Sequence, residues 1–326
     1  MKTRKIVHHR TTQNTRKKRK DIYLTYMSKK SGGRHHISAK LHTLCSPETA
    51  HARLVAVKSL KLPDEGTDLF VHVAKAISED HPLVIKIQDI GASAIKTDLA
   101  IQEKLKHCNN IVKYICNFTC RFDHLLWRNV IKAPRDVCTA SGELMHVTVM
   151  EYIKDDLSSH MNTTKEILYS VVKQAGFALM DFYINYGVCH NDINRGNVLL
   201  DIDAPKTLTY TILNKTYVVN TLGYEVVYID FGLGYIYDNE ANSNTNNNWM
   251  YDMNNINNDT TRNRHIRHAK HIFNRGQDQV SQIYCLMAKW SNTPEYTVAL
   301  QRLYENVMSA TTYEEILELI ANFSIE

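Results

Sequence analysis

No apolar run in this chain of 326 residues approaches the ~18 residues of a membrane-spanning helix, and its N-terminus lacks the apolar core of a secretory signal. These two absences lead us to expect an intracellular protein of the cytoplasm and/or nucleus, with no membrane partner. Cysteine pairing motifs are missing as well. The seven cysteines (Cys45, Cys108, Cys116, Cys120, Cys138, Cys189 and Cys285) are odd in number and scattered, which predicts free thiols in a reducing compartment. Cys116 and Cys120 have no second pair to complete a zinc site and read as a core thiol pair. His265, His268 and His271 share a helical spacing, but no Cys or carboxylate completes a ligand set, so a metal is not expected there. Acidic residues are almost absent from the start of the chain. Residues 1–40 hold 13 Lys/Arg and one acid, Asp21, which leaves 26 Lys/Arg against 33 Asp/Glu in the remainder.

Hydrophobic residues make up 44% of the chain and charged residues 22%, an ordinary globular balance. The basic, weakly apolar start reads as a disordered tail over residues 1–45. Its run Arg16-Lys17-Lys18-Arg19-Lys20 would suit nucleic acid, an acidic protein or a nuclear import receptor, or would serve as a solvated tail. Strand signals follow at 54–60, 69–76, 83–87 and 147–153, and a helix is predicted over 93–107. Glu166–Tyr186 has the apolar spacing of a long amphipathic helix. A hairpin is expected with its turn at Asn214-Lys215, and helices are expected at about 276–290, 294–308 and 312–323. Strands first and helices afterwards give an α+β class, with one lobe over 46–153 and a mainly helical one over 154–326.

The chemistry is concentrated in three places. His190-Asn191-Asp192-Ile193-Asn194-Arg195-Gly196-Asn197 has the form H-x-D-x-x-x-x-N. In phosphoryl transfer a carboxylate there accepts the proton of the attacking hydroxyl, and the amide five residues on binds Mg²⁺, so Asp192 and Asn197 take those roles. Asp230-Phe231-Gly232 would bring a second Mg²⁺ ligand through Asp230. Lys86, inside the strand Val84-Ile85-Lys86-Ile87, would hold the α- and β-phosphates of ATP, with a carboxylate from the next helix as its partner. Two acids compete for that place: Glu103 by residue type and separation, Asp98 by the apolar pattern that follows it and its place nearer mid-helix. Met150 would be the gatekeeper, the backbone of Glu151 and Ile153 would read the adenine edge, and Asp156 would reach the ribose. The phosphate cover is the weakest part of the pattern. G-x-G-x-x-G is absent, and only Gly66, in the turn before Val73, stands where such a loop is expected.

Over residues 50–290 the chain resembles the eukaryotic protein kinase superfamily, and its second half is most similar to the haspin family. The residues that carry the likeness are His190–Leu200 (HNDINRGNVLL), Leu208–Asn214 (LTYTILN), Tyr224–Asp230 (YEVVYID) and Gly276–Met287 (GQDQVSQIYCLM). The resemblance implies a bilobal Ser/Thr protein kinase that uses ATP and Mg²⁺. It also implies a protein substrate of the basic, histone-tail kind, and Asp278 as a buried helix acid that braces the catalytic loop. The sequence departs from haspins in keeping Asp230-Phe231-Gly232 and in having Asn191 where they have Arg. The short second lobe and the Asn-rich stretch 239–259 are similar to features of virus-encoded kinases. Two other classes share these residues: choline- or aminoglycoside-type small-molecule kinases, which use the same H-x-D-x-x-x-x-N, and pseudokinase scaffolds.

Overall fold

A computed structural model describes residues 55–61, 72–78, 81–123, 135–202, 204–237 and 261–325. The basic tail, Gly66 and the Asn-rich stretch lie outside these residues. The class is mixed α+β, and the chain divides into two compact units. One comprises the residues up to Ile90 together with Ile115–Tyr152; the other comprises Gly91–Tyr114 and Ile153–Glu326. A break therefore falls after Tyr152, and the segment 91–114 groups with the second unit rather than with the strands that flank it.

The first unit is built on a six-stranded sheet. Its strands are β1 (Val55–Lys61), β2 (His72–Ser78), β3 (His81–Asp89), β4 (Tyr114–Phe122), β5 (Arg135–Asp136) and β6 (Glu143–Glu151). The spatial order is β4-β6-β3-β2-β1-β5, and β3 pairs antiparallel with both β2 and β6. β-branched and aliphatic residues at alternate positions put Leu83, Ile85 and Ile87 on one face of β3, where they meet Val147 and Val149 of β6 in a core with Ile115, Phe118 and Phe122.

Thiol chemistry in this unit differs from the sequence-based expectation. Cys120 forms a disulfide with Cys138, Cα–Cα 5.6 Å, and Cys116 is also disulfide-bonded, while Cys108, Cys189 and Cys285 are free. Two cysteines four positions apart on one extended strand stand ~13 Å apart and cannot form a pair. Cys120 instead meets the segment that returns beside β4, where Thr139 N–H donates to Arg121 O at 2.8 Å.

The second unit is organised around a helix that is apolar on most of its circumference. Its helices are α1 (Ser93–Leu105), α2 (Lys165–Tyr186), α3 (Thr261–Trp290), α4 (Pro294–Ser309) and α5 (Tyr313–Ala321). Buried residues on α2 include Leu168, Val171, Val172, Ala175, Phe177, Ala178, Leu179 and Phe182, so other elements pack it on several sides. Gly176 permits one close approach: a Cβ there would lie 1.9 Å from the Tyr284 hydroxyl of α3. Gly187 ends α2 at φ 63°, and its N–H returns to the carbonyls of Phe182 and Tyr183.

Short strands follow: β7 (Asp155–Asp156), β8 (Val188–Cys189), β9 (Val198–Asp201), β10 (Thr207–Ile212), β11 (Lys215–Asn220), β12 (Glu225–Tyr228) and β13 (Tyr235–Ile236). They form the sheets β12-β9-β7, β10-β11 and β13-β8. The hairpin pairs Ile212 with Lys215, so its turn is Leu213-Asn214, one residue earlier than predicted. Both turn residues have positive φ, 49° and 63°, as a two-residue turn matched to strand twist requires.

Candidate active site

The loop between β8 and β9 carries the residues that matter most. His190 starts it and is buried, with its ring centroid 4.4 Å from that of Phe231. Its Nε2 lies 2.9 Å from Ile229 O, and its Nδ1 lies 3.3 Å from Asp192 N. The tautomer that satisfies both contacts is neutral, with Nε2–H donating to the carbonyl and Nδ1 accepting from the amide. Burial holds the His190 pKa below its ordinary 6.5, against smaller upward pulls from the Ile229 carbonyl and the Asp192 and Asp230 charges.

Two amides grip the Asp192 carboxylate. Asn194 Nδ2 donates to its Oδ1 at 2.9 Å, and Asn197 Nδ2 donates to its Oδ2 at 2.8 Å. Each amide is itself fixed. Asn194 Oδ1 accepts from Gly196 N–H at 2.8 Å and so caps the short 3₁₀ turn Arg195–Asn197, and Asn197 Nδ2 also donates to Asp192 O at 2.9 Å. With its nitrogen committed to Asp192, buried Asn197 keeps its side-chain oxygen for another partner.

Asp230 is held by its neighbours on both sides. Ile229 N–H donates to Asn197 O at 3.0 Å, Ile229 O accepts from His190, and Phe231 N–H donates to Asp98 Oδ1 at 3.2 Å. Asp230 itself has φ 61° and Asn191 has φ 59°, left-handed conformations that non-glycine residues adopt at a cost. Strained backbone at two adjoining loops is common where side chains are aimed for function.

The competing acids on α1 are now separated. Asp98 is 5% exposed and bonded to the loop that follows Asp230. Glu103 is 73% exposed at its side chain and pairs with Lys106 one turn on. In the first unit, Lys86 is 5% exposed in the middle of β3, with Val73 and Thr148 as its backbone neighbours on the flanking strands. Met150 is buried, Glu151 pairs with Leu83, and Ile153 is buried at the start of the second unit.

Asp156 has a local use. Its Oδ1 caps the turn Leu157–His160 by accepting from Ser159 N–H at 3.0 Å, accepts from Ser158 Oγ, and lies 3.5 Å from Arg195 Nε. Burial pushes its pKa up, but these donors and the Arg195 charge outweigh burial and bring it below the ordinary value. A ribose contact by this carboxylate would compete with three protein donors.

The expected brace, Asp278, is corrected by the structure. Asp278 is exposed, and its neighbour Gln279 is buried, accepting from His190 N–H at 2.6 Å. Gln282 Nε2, one turn further along α3, donates to Ile193 O at 3.1 Å. The helical rotation of ~100° per residue turns Asp278 to solvent and Gln279 inward. Asn194, Gln279 and Gln282 were missed from the sequence because uncharged amides attract no attention at such positions; Asn194's place two residues after Asp192 was the available signal. Burial pushes the thiols of Cys108 and Cys189 up to about 12, which suits neither to act as a nucleophile.

The chain matches no family model and no curated protein sequence. Among the described residues, no helix is long and apolar enough to cross a membrane, and no group of three His, Cys, Asp or Glu could hold a metal.

Proposed function

We propose that this protein is an ATP- and Mg²⁺-dependent Ser/Thr protein kinase of the haspin-like kind, with the two units as the lobes of a kinase fold. The observation that carries the reading is the Asp192 carboxylate held between Asn194 and Asn197, beside a backbone-strained Asp230.

Asp192 is suited to orienting a hydroxyl and accepting its proton, since both its oxygens are positioned and neither is neutralised by a cation in a described contact. As the acceptor oxygen bonds to the γ-phosphorus, the bond to the ADP oxygen breaks and the hydroxyl proton passes to Asp192. The free oxygen of Asn197 and the carboxylate of Asp230 are hard donors that fit Mg²⁺, which commonly takes one or two protein ligands beside substrate phosphates. Mg²⁺ supplies charge neutralisation on the phosphates when bound. Lys86 is assigned to the α- and β-phosphates, and Met150, Glu151 and Ile153 to the adenine.

The haspin resemblance implies a basic substrate, and the charge of the chain is compatible with one. Beyond residue 40 the chain carries 33 acids against 26 bases, which favours basic, histone-type protein segments over acidic ones. Transfer of labelled γ-phosphate to basic peptides, with small alcohols as the comparison, tests this directly. Labelling of peptides alone is expected, and Asp192→Asn should lower it by at least ~10²-fold with the fold intact. Labelling of small alcohols alone would favour a small-molecule kinase, and no labelling with intact Mg-ATP binding would favour a scaffold.

A further inference from the structure

Among the described residues, β10 and β11 form a sheet of two strands whose outer edges pair with no third strand. The two edges are not alike. The register sets Leu208 opposite Val219, Tyr210 opposite Tyr217 and Ile212 opposite Lys215, and Thr221 N–H donates to Lys206 O at 3.1 Å in the same phase. The backbone groups of residues 208, 210 and 212 therefore point toward β11, and those of 207, 209 and 211 point away from it. That outer row of β10 is occupied: Asn109 Nδ2 donates to Thr209 O at 2.9 Å, and Asn185 Nδ2 donates to Thr211 O at 2.7 Å. On β11 the outward groups belong to Thr216, Val218 and Asn220. Ser170 Oγ donates to Asn220 O at 2.6 Å. The N–H and C=O groups of Thr216 and Val218 have no hydrogen-bond partner among the described residues.

Sheet edges are ordinarily blunted by charge, proline or a bulge. Strand β11 has none of these from Thr216 to Asn220, and its register with β10 runs unbroken over six pairs. Its one charge, Lys215 at the turn, lies 3.5 Å from Glu318. The solvent face is uncharged and β-branched, with Thr209, Thr211, Thr216 and Val218 exposed. The opposite face is fixed, since the Tyr217 ring stacks on Phe177 of α2 at 4.6 Å and Val219 is buried. We propose that β11 pairs antiparallel with β11 of a second copy of this chain. The open groups lie on residues two apart, so a two-fold axis at Tyr217 sets Thr216 opposite the partner's Val218 and Val218 opposite the partner's Thr216. Each of these pairs exchanges two N–H···O=C bonds, which satisfies every open group of the edge. Lys215 then falls opposite the partner's Val219, so the charge of the strand does not meet its own copy. Because Asn109 and Asn185 occupy the outer edge of β10, the joined sheet ends there and assembly stops at two copies. The inference does not rest on the catalytic reading.

Sedimentation equilibrium of the full chain over a range of concentrations tests the pairing. The mass should rise from 37.6 kDa toward twice that value and no further. Val218→Pro deletes an N–H that bonds nothing among the described residues and removes half of the bonds between copies, so the dimer Kd should rise at least ~10-fold. Val218→Lys leaves the backbone intact and puts like charges on the diagonal of the paired strands. It should weaken the dimer by a similar factor, and it decides the matter if the proline variant fails to fold. Thr209→Lys, on the same solvent face but on the occupied strand, should leave the dimer intact. A wild-type chain that stays monomeric at every concentration would overturn the proposal, and so would a dimer undiminished in Val218→Lys or growth beyond two copies. A dimer lost in Thr209→Lys and kept in the folded Val218→Pro would put the contact on the face of the hairpin and overturn edge pairing as well.

Discussion

Single residues separate two equally legible acids: Asp98 is buried against Phe231 and Glu103 faces water. Asp98 and Glu103 differ by five positions, about one and a half helical turns, so one faces the core when the other faces water. Asn at 98 would keep an acceptor for Phe231 N–H and lose the charge. We expect Asp98→Asn to lower phosphotransfer by at least ~10-fold without unfolding, and Glu103→Gln to change stability by less than ~0.5 kcal/mol and leave turnover intact, as exposed substitutions usually do. Steady-state kinetics and thermal melts on the two variants check both. His190 supplies a prediction of a different kind. Its pKa is depressed in the folded chain, so its contribution to stability is complete above the unfolded value of 6.5 and is lost as pH falls below it, because the unfolded state then binds a proton that the folded state refuses. Melting temperature should therefore drop between pH 7 and pH 5. His190→Gln should remove about one proton from that dependence, worth ~1.4 kcal/mol per pH unit at its steepest. An unchanged pH profile in the variant would show that other groups dominate.

Elements were legible where a single period ran unbroken. The helix at 165–186 and the strand around Lys86 follow from 3.6- and two-residue spacings. Strand β4 was not predicted, and its burial shows why: Ile115 is buried, then Phe118, Cys120 and Phe122, so the alternation changes phase in mid-strand. The hairpin turn was displaced by one residue because its first position is Leu213, a side chain that seldom accepts positive φ. What anchors the hairpin could not be read from the sequence at all, since the contacts span about a hundred residues. Asn110, at φ 63°, donates to Val226 O at 2.8 Å, and its Oδ1 accepts from the buried Tyr210 hydroxyl at 2.6 Å. Gln174 of α2 extends the same network to Val226 N–H at 3.0 Å and Tyr224 O at 2.8 Å. Asn110→Ala would strand the Tyr210 hydroxyl and place a Cβ residue without local hydrogen bonds in a left-handed conformation. Roughly 3 kcal/mol of stability should be lost in denaturant titration. Asn110→Gly should lose about 1 kcal/mol less, because glycine tolerates the backbone angle and only the hydrogen bonds are forfeited.

At the scale of the whole molecule, strand signals give way to helix signals around residue 153, while the grouping of 91–114 with the second unit has no local signal in the sequence. That grouping depends on long-range contacts such as Asn110 N–H to Glu225 Oε1 at 3.1 Å and Phe231 N–H to Asp98, which no local pattern encodes. These same contacts bear on how activity is controlled. In kinases switched by phosphorylation, an Arg beside the catalytic Asp helps to hold the loop phosphate through charge-assisted hydrogen bonds. Here that position is Asn191, exposed and without positive charge. The backbone on either side of Asp230 is held instead, Phe231 N–H by Asp98 and Ile229 by His190 and Asn197. On the proposed kinase reading, backbone held in this way at residues 229–231 needs no phosphate to order it. We therefore expect protein made in bacteria and treated with phosphatase to be active, and Thr260→Ala/Thr261→Ala to keep most of that activity. The outcome to watch for is an enzyme silent after phosphatase and restored by phosphate at either threonine, with Arg262 or Arg264 as the cation that receives it. That result would mean that the contacts around Asp230 are a consequence of activation and not a substitute for it.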